Sequence, residues 1–232
     1  MAKQLPTAAE VVIVGGGVIG CSIAYHLTKR GVSDVVLLER KQLTSGTTWH
    51  AAGLIGQLRD NHNMTALAKY TAELYLGLEA ETGQATGFKI NGSMSTATNP
   101  GRMEDLVRRA DMAKVFGLQV DVLGPDGCKD LYPLINVDDV VGGIFIPSDG
   151  QADPVGITQA LAKGARMGGA EIFENTLVTK VLVDDGRAVG VETPTGAVMA
   201  KNIVLACGMW TRTLAAEIGV SVPLHACEHF YI

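Results

Sequence analysis

Basic residues are in short supply in this chain. Lys and Arg number 19 against 24 Asp and Glu, a formal net charge of −5 over 232 residues. That is the wrong sign for a nucleic-acid or anionic-membrane partner. Cysteine is also sparse. Cys21, Cys128, Cys207 and Cys227 stand far apart and form no CxxC. Metal-site spacing is therefore absent, and so is the dense pattern of a disulfide-stapled chain. Each cysteine reads as a small buried apolar residue. Met1 to Glu10 has no basic start leading into an apolar core, so no secretory signal is visible. No uninterrupted apolar run reaches the length of a membrane span. Aromatics are few, at 5%, and there is no internal repeat or low-complexity linker. The expectation is a reducing, soluble compartment: cytoplasmic, or the mitochondrial matrix for a processed eukaryotic protein.

What is present is an ordinary globular balance. Apolar residues make up 47% and charged residues 19%, enough to bury a sizeable core in one large domain or two small ones. Glycine is abundant at 28 residues, which suits tight turns and close approaches of backbone to ligand.

The chain is organised around Val11 to Gly20, VVIVGGGVIG. An apolar strand runs into Gly15-Gly16-Gly17-Val18-Ile19-Gly20, and a helix follows to about Arg30, stopped by Gly31. A second strand, Asp34 to Glu39, ends in an acid. Gly15 makes the tight turn, Gly17 lets the backbone approach a pyrophosphate, and Gly20 lets the helix pack closely on the strand. The helix N-terminus offers N–H groups and positive dipole to phosphates. Glu39, about 20 residues after the last glycine, can accept hydrogen bonds from ribose hydroxyls. An acid there disfavours a 2′-phosphate, leaving FAD or NAD.

Lys41 to Leu58 is rich in small residues and irregular. Ser45, Gly46, Thr47 and Thr48 can donate to phosphate and ring. His50 lies beside Ala51, Ala52 and Gly53, which leave space for something large. Asn61 to Thr82 has helical spacing with Leu67, Tyr70, Leu74 and Leu78 on one face. Phe88 to Thr98 reads as a strand pair turned at Asn91-Gly92. A helix follows from Pro100 to about Phe116, with Met103, Leu106, Val107, Ala110 and Ala113 inward. Short segments at 119–123 and 127–132 lead to a strand over Val140 to Ile146. Asp153-Pro154 opens a helix to about Met167. Then come a short strand at Glu171 to Phe173, a meander over 175–183, 188–193 and 197–200, and a buried strand at Ile203 to Ala206. A helix from Trp210 to about Ile218 and an extended run from Pro223 complete the chain, which reads as stopping inside that run.

Five stretches carry a resemblance across nearly the whole chain: VVIVGGGVIG, LLERKQLTSGTTWHAAGLIGQLR, LYPLINVDDVVGGIFIPSDGQADP, IVLACGMWT and HACEHFYI. Together they resemble the amino-terminal half of FAD-dependent amine oxidoreductases related to D-amino-acid oxidase and glycine oxidase. Dimethylglycine and sarcosine dehydrogenases are the most similar. The first motif is shared by many flavin and NAD proteins; TTWHAAGL is far more specific. The resemblance implies FAD, with His50 matching the histidine that bonds covalently to the flavin 8α-methyl. It places Val178 where the backbone meets the adenine, and Ala206-Cys207-Gly208 at the second cofactor-contacting strand end, where Cys207 departs from the usual Thr or Ala. His229 matches a histidine beside the substrate that orients or deprotonates the amine. His225 lies four positions earlier, but no third ligand suggests a metal.

The expected fold is α/β: a Rossmann-type FAD-binding domain with an inserted, incomplete α+β substrate domain. The FAD domain takes 8–86 and 149–222, and the substrate domain 87–148 and 223–232. The implied activity is oxidative N-demethylation of a small N-methyl amino acid, dimethylglycine or sarcosine in type, by hydride transfer to flavin N5. Oxygen or an electron-transfer flavoprotein takes the electrons. Tetrahydrofolate belongs only to chain beyond this one. The alternatives are a glycine oxidase or other secondary-amine oxidase with noncovalent FAD, or an inactive fragment of such an enzyme.

Overall fold

A computed structural model describes residues 4–229. The fold is mixed α/β, with parallel and antiparallel sheets. Two compact units divide it. The first holds the residues up to 52, 78–86 and those from 154 onward; the second holds 53–77 and 87–153. Residues 53–77 and 149–153 thus group with the second unit and 223–229 with the first, at variance with the boundaries expected from sequence.

In the first unit, β1 (Ala8–Val14) enters a glycine turn and α1 (Val18–Lys29) leaves it; β2 (Val35–Leu38) follows. Every residue of β2 is buried, as is usual for a parallel strand covered on both faces.

In the second unit, β3 (Leu54–Ile55) precedes α2 (His62–Thr82), whose last residues belong to the first unit. Then come β4 (Lys89–Ile90), β5 (Ser93–Ala97), α3 (Pro100–Val115), β6 (Asp121–Leu123), α4 (Pro125–Leu131), β7 (Gly142–Ile146) and β8 (Gly150–Gln151).

The chain returns to the first unit with α5 (Pro154–Met167), β9 (Glu171–Phe173), β10 (Lys180–Asp184), β11 (Arg187–Thr193), β12 (Gly196–Leu205) and α6 (Thr211–Ala216). Its sheet runs β10-β11-β12-β1-β2-β9. β1 pairs in parallel with β2 and with β12, and β2 in parallel with β9. The second unit has two three-stranded antiparallel sheets, β3-β8-β4 and β5-β7-β6.

Several elements differ from their sequence reading. The third meander strand and the strand expected at Ile203 to Ala206 are one strand, β12. Its first residues pair antiparallel with β11 and its remainder parallel with β1, so one strand welds the meander to the parallel strands. The pair around Asn91-Gly92 is no hairpin. β4 pairs with β8 and β5 with β7, because the turn carries the chain from one sheet to the other. The Phe145 ring lies where a Gly92 side chain would be. On α2, Leu67 and Tyr70 are 58% and 46% exposed, while Thr65, Ala72, Leu78 and Thr82 are buried. Spacing picks out the largest apolar side chains, but the small ones permit the closest packing. Val107 on α3 is also exposed, while Leu106, Ala110 and Ala113 are buried. No regular element occurs over 223–229, and the end of the expected extended run lies outside the described residues.

α1 is fastened to the last turn of α2 by a polar contact. The buried Tyr25 hydroxyl donates to Glu81 Oε2 at 2.7 Å, and Lys29 Nζ reaches Glu81 Oε1 at 3.0 Å. Burial works to raise the Glu81 carboxyl, but the bonds from Tyr25 and Lys29 outweigh it and hold the group below the usual carboxylate range. A depressed carboxylate contributes stability above its unfolded pKa, and that contribution disappears as pH falls through the folded one. Tyr25→Phe is therefore expected to cost about 1 kcal/mol near neutrality. It should also flatten the loss of stability below about pH 4, near the unfolded carboxylate value. Urea titrations across that range check this; an unchanged acid slope removes Glu81 as a contributor.

Candidate cofactor site

The ends of β1, β2 and β12 lie together, since β1 is hydrogen-bonded to both neighbours. In front of them lies a cavity of about 860 Å³, all of whose lining residues belong to the first unit. The glycine turn forms one wall. Gly15 has φ +114°, and a Cβ there would run into the Ala206 carbonyl. A Cβ on Gly20 would run into the Gly15 carbonyl, so the helix approaches the turn as closely as the fingerprint requires. Gly17 is the N-cap of α1 and has no side chain to offer; Thr48 takes its place, its Oγ1 accepting from Val18 N–H at 3.1 Å. The first turn of α1 contains no acidic residue. Gly17, Val18 and Ile19 all line the cavity, so the positive end of the helix faces it.

Glu39 lies at the end of β2, 8% exposed and lining the cavity. Its Oε2 accepts from Gly16 N–H at 2.7 Å and its Oε1 from Lys41 N–H at 2.9 Å. Each carboxylate oxygen has a second lone pair, which leaves room for a hydroxyl donor. Val178, buried, lines the apolar side with Leu177, and Gly208, at φ +57°, lines the end of β12. Cys207 also lines the cavity and donates its Sγ to Val14 O at 3.3 Å. Burial, with the Glu39 charge adding to it, pushes this thiol up to about 11. It is a neutral S–H at physiological pH, with no thiolate chemistry available.

Among the residues singled out from sequence, the cavity brings together Gly15, Gly17, Glu39, Gly46, Thr47, Thr48, Val178, Ala206, Cys207 and Gly208. Gly20 lies behind the turn. Ser45 is half-buried and absent from the lining. His50 closes a short 3-10 turn, Thr48–His50, is exposed, and stacks on Trp49 with ring centroids 3.8 Å apart; it too is absent from the lining. Gly53 belongs to the second unit. His229 is exposed and ends the described chain. Among the described residues, no cluster of His, Cys, Asp or Glu suits a metal ion, and no helix is long and apolar enough to cross a membrane.

Arg40 and Trp210 are among the lining residues that the sequence reading did not single out. The Arg40 guanidinium sits over the Trp210 indole, 4.1 Å from its centroid, and both face the cavity. An Arg directly after the β2 acid was the available signal. Its cation–π partner, 170 positions away, was not visible from either position alone.

The donor set suits the adenosine-diphosphate half of a dinucleotide: helix N–H groups and threonine hydroxyls for phosphate, a carboxylate for ribose, an apolar wall for a base. The chain belongs to the FAD dependent oxidoreductase family, whose model matches residues 10–232. It is 45% identical over 228 residues to 4-methylaminobutanoate oxidase (formaldehyde-forming) of Paenarthrobacter nicotinovorans, covering 98% of this chain and 28% of that protein. It is 42% identical over 236 residues to mitochondrial sarcosine dehydrogenase of Homo sapiens, covering 99% of this chain and 26% of that protein. The crystal structure of L-proline dehydrogenase from P. horikoshii superposes with a TM-score of 0.87 at 29% identity, over 93% of this chain and 57% of that one. This chain thus spans about a quarter of the length of these two curated relatives.

Proposed function

We propose that the first unit binds FAD and the second forms part of the substrate domain of an amine oxidoreductase. Its substrate is a small N-methyl amino acid of the sarcosine or dimethylglycine type. The observation that carries this is the convergence of α1's N-terminus, Glu39, Thr47, Thr48, Val178 and Gly208 on one cavity. The names of the two curated relatives, each an enzyme of an N-methylated amino acid, support the substrate class. When bound, FAD would supply the two-electron oxidant for the N-methyl C–N bond, after which water would release the methyl carbon as the aldehyde. Residues of this chain would bind and orient. Gly17 to Ile19 and the hydroxyls of Thr47 and Thr48 hold the pyrophosphate. Glu39 accepts from the ribose, and Val178 packs on the adenine. His229 orients the amine and favours its neutral form, whose lone pair drives hydride loss. Either oxygen or an electron-transfer flavoprotein takes the electrons.

His50 is the proposed covalent attachment point: an imidazole nitrogen would be bonded to the flavin 8α carbon in place of one methyl C–H, the proton going to solvent and the two electrons to the flavin, which the electron acceptor would then reoxidise. Acid precipitation tests this directly. Flavin is expected to stay with the wild-type pellet, to appear as a flavin mass adduct on the denatured protein, and to leave with the supernatant in His50→Ala. The exposed position of His50 against Trp49, away from the lining, favours a second reading with FAD held noncovalently. Wild-type flavin wholly in the supernatant selects that reading. Failure to bind FAD at all removes both.

A further inference from the structure

The fingerprint G-x-G-x-x-G leaves its second position open, yet in this chain that residue, Gly16, is held from three sides by the loop after β2. Its N–H donates to Glu39 Oε2 at 2.7 Å. Its carbonyl accepts from Thr44 N–H at 3.0 Å. A Cβ there would meet Leu43 Cδ2 at 2.6 Å and Glu39 Cβ at 2.8 Å, so the loop packs against the bare backbone.

Glu39 is itself fixed at both backbone atoms. Its N–H donates to Phe173 O at 2.9 Å, and its carbonyl accepts from Thr176 N–H at 2.7 Å. The other carboxylate oxygen holds Lys41 N–H, so one buried charge bonds to both the turn and the loop. Further along, Leu43 N–H donates to Glu174 Oε1 at 2.7 Å. Thr44, buried, takes φ +73° in making its bond to Gly16. At its far end the loop returns to α1 through Thr48 Oγ1 and Val18 N–H. Charge-assisted bonds to buried backbone donors are among the stronger ones in proteins, and strained backbone persists only where its surroundings over-determine it.

We propose that Glu39 is a positioning residue: through Gly16 it locks the 39–48 loop onto the glycine turn before any dinucleotide arrives. The N-terminus of α1 and the hydroxyls of Thr47 and Thr48 then stand ready as one preorganised pyrophosphate cradle. The lock itself needs no ligand; only its consequence for the pyrophosphate rests on the FAD reading above. In Glu39→Gln, one oxygen remains to accept and an NH₂ group confronts the other backbone N–H, so one side of the lock is lost.

Amide hydrogen exchange on the flavin-free 232-residue chain, followed residue by residue by NMR, tests this. In the wild type, Gly16, Lys41 and Thr44 are expected to exchange at least about a hundredfold slower than free peptide, although all three lie outside helices and strands. In Glu39→Gln, whichever of Gly16 and Lys41 faces the new NH₂ group should exchange at least about tenfold faster, with Val12 and Val36 in the sheet unchanged. ADP affinity should fall in the same variant. A merely structural role would move the sheet amides and leave no local signature. Free-peptide rates at Gly16 and Thr44 in the wild type overturn the proposal, and need no variant that folds. Unchanged rates at Gly16 and Lys41 in Glu39→Gln overturn it equally. Protected amides without ADP or FAD affinity keep the lock and remove the FAD reading; FAD binding with unprotected amides does the reverse.

Discussion

Gly15→Ala is expected to destabilise the chain by about 3 kcal/mol or more, in the range reserved for strain combined with overpacking. Two costs coincide there. The residue sits at φ +114°, a strained region for any residue with a side chain. The new methyl would also meet the Ala206 carbonyl and, at 3.1 Å, Cys207 N. All of these are backbone atoms, so no rotamer change relieves the contact. Relief requires β1 and β12 to part where Ala206 N–H bonds to Val14 O at 2.8 Å. Gly31→Ala supplies the comparison. Gly31 has φ +88°, and a methyl there would find nothing within 4 Å, so only strain is added, about 1 kcal/mol. Denaturant titrations of both variants separate the two costs. Equal midpoints would show that the β1–β12 contact is not what excludes a side chain at position 15.

Asp149→Ala should cost about 3 to 4 kcal/mol through the second unit, because it strips the acceptor from two separate partners. Asp149 is 2% exposed. Its Oδ1 accepts from Gln57 N–H at 2.8 Å and its Oδ2 from Ser93 Oγ at 2.5 Å. Its own carbonyl accepts from Gly92 N–H at 2.8 Å. Gln57 follows β3, Ser93 begins β5, and Asp149 sits between β7 and β8, so the side chain joins the two small sheets of that unit. Alanine leaves the buried Gln57 N–H without this acceptor. Asparagine keeps one oxygen and lets the Ser93 hydroxyl reverse its role, so Asp149→Asn should lose only about 1 to 2 kcal/mol. Urea titrations that rank the two variants alike would reject the carboxylate as the joint.

The central β1–α1–β2 unit was legible because every signal for it is local. An apolar run, a glycine turn and a closing acid lie within Val11 to Glu39, and each is dictated by backbone sterics or by burial of its own segment. The same is true of α3 and α5, whose Pro starts mark their N-termini. Pairing partners were less legible. Nothing local at Asn91-Gly92 says whether two short strands face each other or leave for different sheets. Nothing at Ala200 to Asn202 says that one strand continues through, because a polar pair in an exposed stretch looks like a turn.

The site divides along the same line. Residue types picked out the glycine turn between β1 and α1 and the acid that closes β2, and the family resemblance added Val178 and Gly208. Only the tertiary structure decided that these line one cavity, that Arg40 sits over the Trp210 ring, that His50 and Ser45 stand outside the lining, and that Gly16 is gripped by Glu39, Leu43 and Thr44. The physical reason is range. Backbone conformation and hydrophobic period are set within a few residues, whereas a cavity wall, a stacked pair or a buried hydrogen bond between positions 16 and 39 exists only once separate strands have been brought side by side.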